Sequence, residues 1–152
     1  SGKTFPMFWG FHLPNSSNPI LNARVETAAI KPTFRDSWKQ RRCVIPASWY
    51  YEWEHRINPI NGKTITGQKY KIRPKDATIV FLAGLYRIET VNGISVPVFT
   101  ILTREPGASI RFIHERMPVM LPSHLISKWI SPSENPENVA HSALTDCVYE
   151  KE

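Results

Sequence analysis

Prolines restrict the fold of this chain more than any other feature, since 13 of them are distributed among its 152 residues. A proline inside a helix removes a backbone hydrogen bond and clashes with the preceding turn. A polar stretch over residues 55–68 also predicts one long excursion between ordered elements. We therefore expect strands and short helices, and we do not expect a helical bundle.

Apolar and aromatic segments bounded by turn residues predict seven strands. They cover residues 5–13, 43–53, 70–73, 78–89, 96–103, 117–121 and 147–149. Asn92-Gly93 is a strong hairpin signal, and Gly84 indicates a bulge or a close approach of another segment. Pro46 indicates a bulge or an edge position within the interrupted strand 43–53.

Four short helices are predicted, at residues 33–40, 106–112, 123–129 and 139–144. Thr33 and Ser123 are expected to cap the first and third of them. The combination predicts an α+β fold in which mainly antiparallel strands form a curved sheet or open barrel with a few short helices. The length is that of one domain covering residues 1–152.

Positive charge is concentrated in residues 31–42, within a chain whose formal net charge is +6. Such a cluster is either a solvated helix face or a surface for an anionic partner. Aromatic residues lie among these cations and shortly after them, which is typical of proteins that hold phosphates and stack unpaired bases. They are Phe34, Trp38, Trp49, Tyr50, Tyr51 and Trp53. We expect Trp38, Trp49 and Trp129 to belong to the core.

Neither a metal site nor a disulfide framework is expected. Cys43 and Cys147 lack suitable spacing, and His114-Glu115 lacks the second histidine of a zinc-protease motif. With no signal peptide and no apolar run long enough to cross a membrane, we expect an intracellular, cytoplasmic protein that needs no cofactor.

Glu52 is the clearest candidate for acid–base chemistry. It lies between Tyr51 and Trp53, and exclusion of water by such neighbours disfavours the charged form of a carboxyl group. A group of this kind is a candidate general acid or base near neutral pH. The alternative is a carboxylate at the rim that points to solvent.

Several ordered motifs resemble the SOS response-associated peptidase family. They are Asn22-Ala23-Arg24-Val25-Glu26-Thr27, Lys31-Pro32-Thr33-Phe34-Arg35, the segment from Arg42-Cys43 to Tyr51-Glu52-Trp53, and His114-Glu115-Arg116-Met117-Pro118. Trp9-Gly10 and Ala83-Gly84-Leu85-Tyr86 also fit, so the resemblance covers nearly the whole chain. It implies binding to single-stranded DNA at abasic sites, where an N-terminal cysteine forms a thiazolidine crosslink with the sugar aldehyde.

The resemblance also implies roles for individual residues. The expected catalytic residues are Asn22, which would orient the cysteine and sugar, Glu52, which would shuttle protons, and His114, which would assist ring opening. The expected DNA contacts are Trp9, Arg24, Arg35 and Lys39. The guanidinium groups suit phosphate oxygens, and the indole would stack or wedge at the lesion.

One departure concerns the family's nucleophile, a cysteine that follows the initiator methionine and precedes several strands. No such segment comes before Trp9-Gly10 here. The expectation is therefore a domain that lacks the N-terminal strands of the family and acts as a monomer. Cys43 matches a cysteine inside a family strand, so we predict that it is packed rather than reactive.

Each site residue also has a structural alternative. Asn22 could satisfy backbone groups in a turn, Arg24 could pair with Glu26, and His114 could be a hydrogen-bonded loop residue. Arg116 is expected to form a structural ion pair. For the function, the alternatives are a non-covalent module for single-stranded nucleic acid and a peptidase that acts in trans.

Overall fold

A computed structural model describes residues 3–152 and contains ten strands within that range. The strands are β1 (Phe8–Trp9), β2 (Asn22–Arg24), β3 (Arg42–Ala47), β4 (Tyr50–Ile57), β5 (Thr64–Pro74), β6 (Val80–Val91), β7 (Ile94–Arg104), β8 (Met117–Pro118), β9 (Met120–Leu121) and β10 (Cys147–Lys151). The short helices are α1 (Val25–Ala28), α2 (Arg35–Gln40), α3 (Ile126–Ile130) and α4 (Pro136–His141), and a 3-10 turn (Ser123–Leu125) precedes α3.

The strands form two open sheets, which confirms the predicted α+β class. In the large sheet the order is β1-β7-β6-β3, with β2 and β8 also paired to β7 and β9 paired to β6. The small sheet has the order β10-β5-β4 and is antiparallel throughout. Pairing in the large sheet is also mainly antiparallel, except that β1 and β2 run parallel to β7.

Alternation of apolar residues along the strands of the large sheet produces two cores. Val98 and Leu102 face the helix-side core, which also contains Trp38 of α2 and Trp129 of α3. Ile101, from the same strand, faces the inter-sheet core. That core also includes Tyr70, Ile72, Val80, Leu82, Ile113 and Cys147. Because successive side chains of a strand point to opposite faces, β7 supplies both cores.

Two local predictions about glycine and turn positions are confirmed. The hairpin between β6 and β7 turns at Asn92 and Gly93, with φ angles of 51° and 78°. Positive φ at both positions suits the tight hairpin turns that match the twist of the strands. At Gly84, a Cβ atom would lie 2.6 Å from Ile45 Cδ1 and 3.0 Å from Cys43 Sγ, so the expected close approach is present.

The segment 43–53 is divided between the two sheets, and this corrects the prediction of one interrupted strand. β3 pairs with β6 in the large sheet, whereas β4 pairs with β5 in the small sheet. Pro46 lies on β3, an edge strand, as expected. The predicted long excursion at 55–68 is wrong, because β4 continues to Ile57 and β5 already begins at Thr64. Cross-strand pairing overrides the polar composition there.

Several details of the helix predictions are wrong. Residues 108–113 form consecutive turns, residues 106–107 belong to a loop, and no helix is present there; at Gly107 the loop is packed against Thr145. Neither Thr33 nor Ser123 is a cap: Phe34 and Leu125 precede α2 and α3, and neither side chain caps the helix. α4 begins three residues before the predicted start at 139.

Among the tryptophans expected in the core, Trp38 and Trp129 are buried, whereas Trp49 is exposed. Arg42, counted above with the basic cluster, is also buried. Its guanidinium group donates to the backbone oxygens of Trp38, Lys39, Trp129, Ser131 and Glu134. Arg42 therefore joins α2 to the region around α3 and is not a surface charge. No helix in residues 3–152 combines the length and apolar character needed to span a membrane.

Candidate functional site

Three of the predicted site residues lie along one margin of the large sheet. Trp9 pairs with Phe99 of β7, Asn22 with Ile101 and Arg24 with Thr103. Paired residues of neighbouring strands share a face, and Ile101 belongs to the inter-sheet core. Trp9, Asn22 and Arg24 therefore lie on the face that is directed toward the small sheet.

The ring of Trp9 has a defined position on this face. It stacks on Phe99 with an interplanar angle of 3° and a centroid distance of 6.2 Å. Its indole nitrogen donates to the backbone oxygen of Leu21 at 2.8 Å. About half of the side chain remains exposed. The indole is therefore fixed in position and still presents an aromatic surface to a ligand.

Arg24 does not pair with Glu26 as the structural alternative proposed. Glu26 binds Arg116 instead, through two hydrogen bonds of 2.8 Å, and this contact keeps the pKa of Glu26 below its usual value. Arg116 is thus the structural ion-pair residue that was expected. Within the described part of the chain, no carboxylate lies at ion-pair distance from the exposed side chain of Arg24.

His114 lies in the loop between β7 and β8, and this loop is held at several points. Arg116 donates to the backbone oxygen of Thr103, the residue paired with Arg24. On the other side, the backbone N–H of His55 donates to Ile113 O at 2.9 Å. The loop of His114 therefore connects the margin that carries Asn22 and Arg24 with β4, the strand that carries Glu52.

The orientation of the His114 ring follows from its hydrogen bond. The backbone N–H of Arg116 donates to Nδ1 of His114 at 3.0 Å. The same nitrogen also lies 3.2 Å from Arg116 O, a longer contact in which Nδ1 would have to donate. A backbone N–H can only donate, so in the tautomer that satisfies the shorter contact Nδ1 accepts and Nε2 carries the proton. Nε2 is consequently the nitrogen that can exchange a proton with a substrate.

His55 is a neighbour of His114 that sequence reasoning missed. Its ring lies 4.1 Å from that of His114, centroid to centroid, at an interplanar angle of 60°. The contact coincides with a shift of register between β4 and β5 after Trp53. Since neither the register shift nor the approach of the loop has a local signal, no sequence pattern marks His55.

Glu52 is not enclosed by Tyr51 and Trp53, which is a correction of the sequence interpretation. Those two rings lie on the exposed face of β4, whereas Glu52 is partly buried and pairs with the core residue Tyr70. Alternation along the strand separates Glu52 from its sequence neighbours. Its carboxylate accepts a hydrogen bond from the backbone N–H of Trp53 at 3.0 Å.

The carboxylate of Glu52 influences the ionisation of a neighbouring aromatic residue, Tyr50. Burial, together with the nearby Cys147 and Glu52, raises the pKa of Tyr50. Within the described residues its hydroxyl has no hydrogen-bond partner. Glu52 and Tyr50 therefore share the face of β4 that is directed toward the inter-sheet core.

Arg35 and Lys39 are not brought to the same place. They are exposed on α2, and this helix packs through Trp38 against the helix-side core, on the opposite face of the large sheet from Asn22. A cavity of about 380 Å³ opens on this side, and its lining includes Glu26, Arg104 and His141. Asn22, Glu52 and His114 do not line it.

The two cysteines are poor nucleophiles. Burial raises the pKa of the Cys43 thiol to about 12 and that of the Cys147 thiol to about 11, so both are almost entirely protonated at neutral pH. As predicted, Cys43 of β3 is packed against Gly84, but it is only partly buried, whereas Cys147 is buried. Within residues 3–152, no group of three or more His, Cys, Asp or Glu side chains is arranged to hold a metal ion.

The sequence matches a known family over almost its full extent. The profile of the family described as SOS response associated peptidase (SRAP) matches residues 3–151. The abasic site processing protein YobE of Bacillus subtilis is 36% identical over 126 residues, which cover 82% of this chain and 55% of that protein. YedK of Escherichia coli, also named an abasic site processing protein, is 26% identical over 94% of this chain and 62% of its own length. The chain spans about half the length of the Bacillus relatives it matches.

Solved structures show the same fold. A protein from Bacteroides thetaiotaomicron superposes with a TM-score of 0.72 at 27% identity, over 87% of this chain and 58% of that one. A phage-related protein from Bordetella bronchiseptica superposes with a TM-score of 0.73 at 23% identity, over 96% and 70% of the two chains. The second likeness bears on the fold alone.

Proposed function

This chain belongs to the SOS response-associated peptidase family, and from that membership we propose that it processes abasic sites in DNA. The substrate is single-stranded DNA that has lost a base and presents a ring-opened sugar aldehyde. In the complete polypeptide, a cysteine at the processed N-terminus forms a covalent crosslink with that aldehyde. The names of the relatives and the arrangement of the site support this proposal.

The observation that carries the proposal is the position of the His114 loop. It is bonded to Thr103, beside Arg24, and to His55 on the strand of Glu52. The loop that carries His114 thus joins the segment that carries Arg24 to the strand that carries Glu52. An imidazole, an arginine and a carboxylate are the combination that imine chemistry on a phosphate-flanked sugar requires.

The proposed reaction proceeds in two steps. The amine of the terminal cysteine attacks the aldehyde carbon, and loss of the carbonyl oxygen as water gives an imine. The thiol sulfur then adds to the same carbon while its proton passes to the nitrogen, which closes the thiazolidine ring. Glu52 carries protons in the first step, His114 assists ring opening of the sugar through Nε2, and Asn22 orients the reactants.

Cys43 and Cys147 do not supply the thiolate in this scheme. Their thiols have pKa values raised to about 12 and about 11 by burial, so the reactive form is scarce at neutral pH. Both are also held inside folded strands and have no free amine, which the ring closure needs. The proposal therefore requires the terminal cysteine of the complete polypeptide.

The DNA contacts are proposed on two surfaces. Arg24 binds a phosphate near the lesion, and Trp9 stacks or wedges beside the missing base. Arg35 and Lys39 of α2 bind the strand farther away, on the opposite side of the large sheet. Their separation from Asn22 means that they add affinity and do not position the reacting sugar.

The test is to incubate the complete polypeptide with a single-stranded oligonucleotide that contains one abasic site. We expect an adduct that survives denaturing electrophoresis. Glu52→Gln should slow its formation while leaving non-covalent binding intact, and Glu134→Gln, an exposed carboxylate in the segment before α4, is the matched control. If binding is salt-sensitive and no adduct forms, the protein is instead a module that binds single-stranded nucleic acid without a covalent step. Equal loss of binding and adduct in Glu52→Gln would mean that this residue maintains the fold.

A further inference from the structure

The outer face of the small sheet carries a row of exposed aromatic rings. Trp49, Tyr51 and Trp53 are 39%, 40% and 43% exposed, respectively. From Trp49 to Trp53 the row extends for about 13 Å at the usual rise of a strand. Soluble proteins rarely expose three large rings side by side without a binding role. We call these three residues, with Lys69 and Lys71 of β5, the aromatic track.

Two lysines of the neighbouring strand alternate with the rings. Nζ of Lys71 lies 3.8 Å from the ring centroid of Trp49. Nζ of Lys69 lies 3.9 Å from the centroid of Tyr51 and 5.6 Å from that of Trp53. Cation–π attraction holds each ammonium group at a defined place along the row. The track therefore presents positive charges at regular intervals beside aromatic surfaces.

The charge of this face is predominantly positive. Lys69, Lys71 and Arg73 all belong to it, opposed by Glu150, in register with Lys71, and by Glu152, whose backbone N–H donates to Lys69 O. Among the residues that the structure describes, neither lysine has a carboxylate within ion-pair distance. The two ammonium groups are thus available to an anionic ligand, and the adjacent rings require that ligand to carry flat apolar groups.

The track is continuous with the candidate site. β4 is an edge strand of the small sheet. On its unpaired side, the backbone N–H of His55 donates to Ile113 O in the loop of His114. His55 follows Trp53 and Tyr51 at two-residue spacing along β4, and the register with β5 shifts between Trp53 and His55. The row therefore begins at the His55–His114 contact and leads away from it.

We propose that the aromatic track binds the single strand that flanks the lesion, with bases stacked on Trp49, Tyr51 and Trp53 and phosphates held by Lys69 and Lys71. This inference rests on the proposed function, because it takes DNA as the ligand. It adds a second contact region on the outer face of the small sheet, which neither Trp9 and Arg24 nor the α2 cations supply. Stacking tolerates any base, so the track binds without sequence preference.

The experiment compares two abasic oligonucleotides with the complete polypeptide, one of about 3 nucleotides, which is shorter than common single-strand sites, and one of about 15 nucleotides, which fills such a site. The short strand leaves one nucleotide on each side of the lesion and cannot cover the track, whereas the long strand can. The variants are the Lys69→Gln/Lys71→Gln double variant and Trp49→Ala. Lys128→Gln, an exposed lysine on α3, is the control for loss of charge.

For the long strand, we expect the double lysine variant to flatten the slope of log affinity against log salt by about 1.4, since each phosphate contact contributes about 0.7. Trp49→Ala should weaken binding of the long strand about tenfold. Binding of the short strand and the yield of adduct on it should match those of the parent. Thermal unfolding of each variant verifies that the fold is intact.

If these variants bind the long strand with unchanged affinity and salt slope, the inference is overturned. The two lysines would then only shield the exposed rings from water. Equal losses on both strands would also overturn the inference, since the track would then belong to the lesion site itself. These outcomes differ from failure of the proposed function, in which the parent forms no adduct with either strand.

Discussion

The imidazole of His55 lies against that of His114, with 4.1 Å between the ring centroids. The same two segments are joined by the hydrogen bond from His55 N–H to Ile113 O. Because Arg116 N–H holds Nδ1 of His114, the ring of His114 is fixed both by a hydrogen bond and by a packed neighbour. His55 is thus placed to position His114 rather than to react itself.

Replacing His55 tests this positioning role. His55→Ala removes the packed ring and should slow adduct formation about tenfold, since small displacements of a reacting group are costly. His55→Phe keeps a ring of similar size and should retain most of the rate. Single-turnover kinetics on an abasic oligonucleotide measure both variants. If His55→Phe is as slow as His55→Ala, the imidazole nitrogens of His55 participate directly.

Arg24→Ala should weaken binding to every single-stranded sequence, because a phosphate contact carries no base information. We expect an affinity about tenfold lower and a salt slope flatter by about 0.7. Fluorescence anisotropy at several salt concentrations measures both quantities, with Lys128→Ala as the control for a lost surface charge. An unchanged salt slope would assign Arg24 to a structural role.

The contact between Glu26 and Arg116 predicts a dependence of stability on pH. Hydrogen bonding to Arg116 lowers the pKa of Glu26 from its usual 4.5, so the folded state binds its proton less readily than the unfolded state. The stabilisation is therefore present above pH 4.5 and disappears as the pH falls through the lowered pKa. Glu26→Gln should cost about 0.5 kcal/mol at neutral pH, a small value because the pair is partly exposed.

Urea unfolding of the parent and of Glu26→Gln, at neutral pH and well below pH 4.5, measures this effect. The difference between the two proteins should be present at neutral pH and vanish in acid. Glu137→Gln, which changes a carboxylate at the start of α4, is the control. A difference that persists unchanged in acid would show that the effect of Glu26→Gln does not depend on ionisation.

Arg42→Met should destabilise the protein strongly. Arg42 is 4% exposed and donates to backbone oxygens that would lose their partners, including those of Trp38 and Trp129 at 2.6 Å each. Unpaired buried polar groups should make the cost about 3 kcal/mol or more. Arg35→Met, at an exposed position of α2, should change stability by less than about 0.5 kcal/mol. Equal midpoints of urea unfolding for the two variants would contradict this account.

Thiol labelling tests the burial of the two cysteines. Because their pKa values are raised to about 12 and about 11, Cys43 and Cys147 should react slowly with an alkylating reagent at neutral pH in the folded protein. Both should react rapidly after unfolding in urea. Mass spectrometry of labelled peptides gives the rate for each thiol separately. Fast labelling of Cys43 in the folded state would reopen the possibility that it is reactive.

Features that depend on neighbouring residues could be predicted from the sequence. The hairpin at Asn92 and Gly93, the edge position of Pro46 and the existence of strands at 78–89 and 96–103 all follow from local backbone and side-chain preferences. The ordered motifs likewise predicted the family, since they consist of residues read directly from the chain. The roles of Asn22, Glu52 and His114 stay predictions until the crosslinking assay is done.

Features that depend on distant segments were decided by the tertiary structure. The division of residues 43–53 between two sheets turned Glu52 toward the inter-sheet core and left Trp49 exposed on the outer face. Burial made Arg42, a member of the basic cluster in the sequence, a partner for five backbone oxygens. The sequence by itself thus determined the strands on either side of the hairpin, the hairpin turn and the family. Only strand pairing and burial, which join residues far apart in the chain, determined that His55 meets His114 and that Lys69 and Lys71 lie on the aromatic rings.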